Sequence, residues 1–166
     1  MRKNQKQQTC CFTGHRVIPP EILPALTTEL EAALHALIQQ GFRYFGAGGA
    51  LGFDTLAAET VLRLKAEYPH IRLILVLPCK DQTKGWPLKD VQRFQSLLGR
   101  ADKVVYTAGL YQPGCMHRRN RHLVDNSAVC LAYCARSSGG SAYTLNYARK
   151  QGLAVVQLAG SSLHSP

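Results

Sequence analysis

No run of about 18 apolar residues occurs in the sequence, which excludes an apolar helix long enough to span a bilayer. Residues 1–8, MRKNQKQQ, are polar and lack the apolar h-region of a secretory signal, so export is not expected. None of the six cysteines (Cys10, Cys11, Cys79, Cys115, Cys130 and Cys134) stands in a C-x-x-C pair. That removes the usual zinc spacing, and no metal site is expected. With no signal peptide, a reducing cytoplasm is the expected setting. Internal repeats and linkers are absent, so 166 residues fit one domain with a real core. Two phosphate-binding fingerprints are missing as well. There is no G-x-G-x-x-G with an acidic residue about 20 positions on, and no glycine-rich loop closing on Gly-Lys-Ser/Thr. Acidic residues are scarce, 10 against 20 Lys and Arg, which leaves a formal net charge of +10. Such a balance favours anionic partners, with a solvated basic face as the plain alternative. Aromatic residues make up only 8% and do not alternate with basic ones as a base-stacking platform requires.

What is present is a regular alternation of short apolar runs and amphipathic stretches. Residues 1–8 read as a disordered basic arm, and 9–13 as a first strand. Pro19-Pro20-Glu21 suits a helix start, followed by Leu23, Leu26, Leu30, Leu34, Leu37 and Ile38 at helical spacing up to Gly41. Further strands are expected at 43–46, 71–77, 103–106, 128–133 and 154–158. Helices are expected at about 51–67, 89–98, 114–126 and 140–151, and 159–166 reads as a frayed tail. The pattern predicts a single Rossmann-like α/β domain over 9–158, three layers with a mainly parallel sheet and helices on both faces.

Three glycine-rich turns fall where a strand tip opens a helix. They are Thr13-Gly14-His15-Arg16, then Gly46-Ala47-Gly48-Gly49-Ala50-Leu51-Gly52-Phe53-Asp54, then Ser137-Ser138-Gly139-Gly140-Ser141. In a parallel sheet such tips share one edge and can converge on one ligand. Glycines let backbone approach it, and helix N-termini offer N–H groups to anionic oxygens. Candidate contacts are therefore Gly14, His15, Arg16, Gly48, Gly49, Ala50, Gly52, Gly139, Gly140, Ser141 and Thr144. Asp54 stands in a first helical turn, either as a ligand contact to a ribose hydroxyl or as a carboxylate favoured by the helix dipole. Arg119, at the border of a helical face with Met116 and Asn120, can pair with a phosphate, while Arg118 and Arg121 point to solvent. Gln82 and Trp86 lie in the loop after the third strand. They meet a base, or Trp86 anchors that loop to the body.

Taken together, Cys11-Phe12-Thr13-Gly14-His15-Arg16, the Gly-Gly-Ala-x-Gly-x-Asp run into Leu56-Ala57-Ala58-Glu59, Pro78…Gln82…Trp86, Arg119-Asn120 and Gly139-Gly140-Ser141…Thr144 resemble the YpsA-type family of the SLOG superfamily. The resemblance spans about residues 9–158 and implies a Rossmann-like fold with a pocket for a nucleotide or nucleotide-derived ligand, such as ADP-ribose or a nucleotide sugar. It requires no cofactor beyond that ligand. Related cytokinin-activating phosphoribohydrolases carry Met-x-x-Arg, matched here by Met116-His117-Arg118-Arg119, which implies that Arg119 meets the ligand. Their catalytic glutamate follows the glycine loop, where this chain has Asn146. An asparagine cannot act as a general base. Asp54 and Glu59 are then the candidates for an N-glycosidic hydrolase or transferase acting on a nucleoside monophosphate. The DNA-processing protein A relatives imply single-stranded nucleic acid as a further partner. Self-association stays open.

Overall fold

A computed structural model describes residues 3–135 and 138–160. The elements run α1 (Lys3–Gln7), β1 (Thr9–Gly14), α2 (Leu23–Gln39), β2 (Tyr44–Ala47), α3 (Phe53–Leu64), β3 (Arg72–Leu77), α4 (Leu88–Arg100), β4 (Lys103–Tyr106), α5 (Cys115–Asp125), β5 (Val129–Tyr133), α6 (Gly140–Lys150) and β6 (Ala154–Gln157). All strand pairs are parallel, in the order β4-β3-β2-β1-β5-β6. The chain steps outward from β1 to β4, then returns to place β5 on the other side of β1. The order therefore reverses between β1 and β5, where Cys11 faces Cys130 and Gly14 faces Tyr133. In open α/β sheets the crevice at such a reversal is where ligands bind.

Alternation along the strands divides the apolar side chains between two layers. Cys10, Phe12, Phe45, Leu73, Leu75, Leu77 and Leu131 pack with α2, α3 and α4 in the larger core. Cys11, Val76, Cys130 and Ala132 pack with α5 and α6 in the smaller one. The expected three-layer domain is the one observed. Among the described residues no helix is long and apolar enough to cross a membrane.

Some boundaries differ from the sequence expectation for local reasons. The arm expected to be disordered forms α1 over Lys3–Gln7. It is pinned because the Gln8 carbonyl accepts from both Arg43 N and Tyr44 N, at 2.9 and 3.0 Å, so the arm hangs from the start of β2. The Pro19–Ile22 stretch is a turn rather than the start of α2, closed by Ile22 N donating to Pro19 O at 3.1 Å. The proline in the first turn of α2 is Pro24. At the other end, Ala159 N and Gly160 N donate to Glu29 on α2, so these two residues do not fray. Residues 161–166 of the expected tail lie outside the described residues, as does Ser137 of the third glycine turn.

Candidate functional site

At the β1 tip, Gly14 is required by its neighbour. A Cβ there would lie 2.6 Å from Cβ, Cγ and Cδ2 of Phe53. The next residue bridges two loops. His15 N donates to Tyr133 O at 3.1 Å, and its Nε2 accepts from Ala135 N at 2.7 Å. The accepting nitrogen must be unprotonated, so in the neutral ring the proton is assigned to Nδ1. Arg16 follows. It is exposed and makes no hydrogen bond or ion pair with the described residues.

The β2 tip is built from contacts within the protein. Gly49 and Gly52 adopt positive φ, +73° and +78°. A Cβ on Gly49 would press on Leu77, and one on Gly52 would collide with the carbonyls of Arg16 and His15. Phe53 N donates to His15 O at 3.0 Å, which fastens this loop to the one after β1. Gly48 separates two charges, since a Cβ there would be 2.6 Å from Arg119 Nη1 and 2.9 Å from Asp54 Oδ2.

Those two charges are both buried, Asp54 at 7% exposure and Arg119 at 3%. Arg119 is thus inside the fold rather than at the border of a surface face. Its Nη1 donates to the Gly48 carbonyl, its Nε to Asn120 Oδ1 at 2.6 Å, and its Nη2 approaches Met116 Sδ at 3.8 Å. Asp54 Oδ2 accepts from Ala50 N at 3.3 Å. Burial pushes the Asp54 carboxyl above the usual carboxylate range, while Arg119, the Ala50 N–H and Arg16 pull it back. Burial likewise pulls the Arg119 guanidinium below its ordinary value, against the attraction of Asp54. A guanidinium still keeps its charge under these conditions.

The β5 tip is different. Gly139 has φ +100°, and at neither Gly139 nor Gly140 would an added Cβ meet any atom of the described residues within 4 Å. The N-cap of α6 is Gly139, which has no side chain, and among the described residues the N–H groups of the first turn have no side-chain acceptor. Thr144 does not join them. It is buried, and its hydroxyl donates to the Gly140 carbonyl at 3.0 Å.

Together these tips enclose a cavity of about 330 Å³ at the strand-order reversal. Gly14, His15, Arg16, Ala50, Asp54, Arg119, Asn120, Gly139, Gly140 and Ser141 line it. Gly48, Gly49 and Gly52 stand behind this wall and shape it. Gln82 and Trp86 border a side chamber of about 20 Å³, which shares Arg16, Ala50, Met116 and Arg119 with the main cavity. Trp86 also packs edge-on against Phe94, centroids 5.7 Å apart, so it anchors its loop. Glu59 is not brought to the cavity. Both of its oxygens accept from Arg93 of α4. Arg118 is exposed as expected, but Arg121 donates to Tyr143 Oη at 3.2 Å.

Phe12, Thr13, Met116, His117 and Ser138 also line the cavity, although residue type alone does not mark them as contacts. Met116 carries a sequence signal, since it precedes Arg119 by one helical turn. His117 is fixed by Tyr143, centroids 4.3 Å apart, a pairing between helices that local spacing does not reveal. Among the described residues no group of three or more His, Cys, Asp or Glu comes together to hold a metal ion.

A parallel sheet with its order reversal between β1 and β5 and helices on both faces defines a Rossmann-like α/β domain. Within that class, the family model for YpsA, the YspA SLOG family, matches residues 21–155, and the chain belongs to that family. The uncharacterized SPbeta prophage-derived protein YoqJ of Bacillus subtilis strain 168 is 32% identical over 138 residues, covering 75% of this chain and 81% of YoqJ. DNA processing protein A from Streptococcus pneumoniae superposes with a TM-score of 0.69 at 18% identity, covering 96% of this chain and 53% of that one. The Helicobacter pylori DNA processing protein A, described for its single-stranded DNA binding mode, gives a TM-score of 0.69 at 19% identity, covering 99% and 71%. At these identities the likeness is one of fold. This chain spans about half the length of the streptococcal protein.

Proposed function

We propose that the cavity binds a nucleotide or nucleotide-derived phosphorylated small molecule. The observation that carries this reading is the open start of α6. Gly139 and Gly140 have free space around them among the described residues, and they share the cavity with Arg16, whose side chain is exposed. Uncapped N–H groups and a guanidinium suit phosphate oxygens. Arg119 is too heavily engaged to serve as the main phosphate clamp, so Arg16 takes that role. The cavity volume falls within the range of about 300–1,000 Å³ typical of small-molecule sites, which supports a nucleotide over a length of nucleic-acid strand.

A thermal-shift panel of nucleoside mono-, di- and triphosphates with ADP-ribose tests the reading. At least one compound raises the melting temperature, and Arg16→Ala weakens its affinity by roughly 10- to 100-fold, the worth of a charge-assisted bond. Gly140→Val, placed in open space, keeps the melting temperature of the free protein and removes the shift. An unresponsive panel would overturn the reading. Single-stranded DNA, the ligand of the Helicobacter protein, is separated by salt, because phosphate-driven binding falls steeply as salt rises.

One observation favours a second reading, cleavage of an N-glycosidic bond. Asp54 is a buried carboxyl with a raised pKa on the cavity wall. In such a reaction the base leaves with a proton and water supplies the oxygen to the anomeric carbon. Free base then accumulates from a nucleoside monophosphate, and Asp54→Asn lowers its release by at least about 100-fold, the low end of a general-acid contribution. Chromatography showing intact substrate after prolonged incubation removes this reading and leaves binding untouched.

A further inference from the structure

We propose that Gln82 reads the base of the bound nucleotide, accepting a hydrogen bond from an amino group of a nucleoside monophosphate unit. The inference rests on the binding reading above and adds the ligand's chemistry to it. Gln82 Nε2 donates to the Gly49 carbonyl at 3.0 Å. That bond fixes which way the amide points, because the opposite flip would set carbonyl against carbonyl. The other end, Gln82 Oε1, is buried and has no hydrogen-bond partner among the described residues. A buried acceptor left unpaired is costly, so native folds rarely carry one without a reason.

The surroundings narrow what can satisfy it. Gln82 borders the side chamber with Ala50, Trp86, Met116, Arg16 and Arg119. At about 20 Å³ the chamber has room for one water-sized group, such as an exocyclic amine, and not for a ring. An exocyclic oxygen in the same place would set two acceptors against each other. Position agrees with size. Because Gln82 reaches back to Gly49, its amide stands over the β2 tip, two strands from β5 across β1. Two strand spacings are roughly 10 Å along the sheet edge. That separates the open start of α6 from the Gln82 acceptor by the reach of a nucleoside monophosphate, from its phosphate to the far edge of its base. Asp54 and Arg119 line the same main cavity and are the polar groups there that the ribose would meet.

Three matched pairs test this by calorimetry on the full chain: AMP with purine riboside 5′-monophosphate, GMP with IMP, and CMP with pyrimidin-2-one riboside 5′-monophosphate. In at least one pair the amino-bearing member binds roughly tenfold tighter, one hydrogen bond's worth. Gln82→Met keeps the stem and volume, loses the acceptor, and brings that ratio to about one. If both members of every binding pair are held equally by the wild-type protein, the assignment of Gln82 is overturned, and no variant is needed to see it. If none of the six compounds binds, the monophosphate assignment is overturned, while the nucleotide reading itself stands or falls on the wider panel above.

Discussion

Arg119→Met is expected to cost about 3–5 kcal/mol of folding stability, the penalty for removing one partner of a buried charge arrangement. The methionine fills much of the same space, so the loss is electrostatic. Arg119 supplies the strongest cationic pull on Asp54 and donates to the Gly48 carbonyl. Without it, Asp54 keeps only the Ala50 N–H and the weaker pull of Arg16. The pH dependence identifies the cause. Asp54 already has a raised pKa in the folded protein, and loss of the strongest opposing pull raises it further. A carboxyl whose folded-state pKa lies above its unfolded value contributes stability at acid pH that is lost as pH rises through the raised value. The deficit of Arg119→Met therefore grows toward neutral pH and shrinks in acid, and adding Asp54→Asn recovers part of it. Urea unfolding at several pH values measures this. A loss below about 1 kcal/mol, or one independent of pH, would mean that the two groups are not coupled as the geometry requires.

The same pair shows where sequence reading stops. Apolar periodicity locates every strand described and the five long helices, because burial on one or two faces is written in local spacing. The roles of the glycines are not. The pattern in the first two turns predicts backbone approach to a ligand. Yet Gly14 makes way for Phe53, Gly48 for Arg119 and Asp54, and Gly49 for Leu77. Most of these neighbours are distant in sequence, so the demand for a missing Cβ arises only after the sheet assembles. Of the glycines in the three turns, only Gly139 and Gly140 face open space among the described residues, a difference that the shared local signal does not carry. Arg119 has the same history. Its helical position predicts a border residue, and the Gly48 carbonyl 71 residues away draws it inside. Glu59 is lost to the site in the same way, through Arg93, 34 residues further along. The cavity's location is more legible than its contacts, since parallel strands with an order reversal leave one place for it.

Gly52→Ala is expected to destabilise the fold by at least about 3 kcal/mol, from positive-φ strain together with steric collision. Its backbone stands at φ +78° and ψ −121°, a region L residues avoid. A Cβ there would lie 2.5 Å from His15 O and closer still to the Arg16 carbonyl, both backbone atoms that no rotamer change can move aside. Gly140→Ala is the matched control. Gly140 has ordinary φ, open surroundings and a helical position, so the same substitution is neutral or stabilises by up to about 1 kcal/mol. Thermal and urea unfolding of the two variants decide it, and equal stabilities would contradict the packing of the second loop on the first. The consequence reaches the ligand. The Phe53 N–H to His15 carbonyl bond holds the loop that carries Arg16, and Gly52 is the residue that lets the two backbones come that close. A Gly52→Ala protein that still folds must open this joint and swing Arg16 from the cavity wall. Under the binding proposal it therefore loses nucleotide affinity alongside stability, although Gly52 itself does not line the cavity.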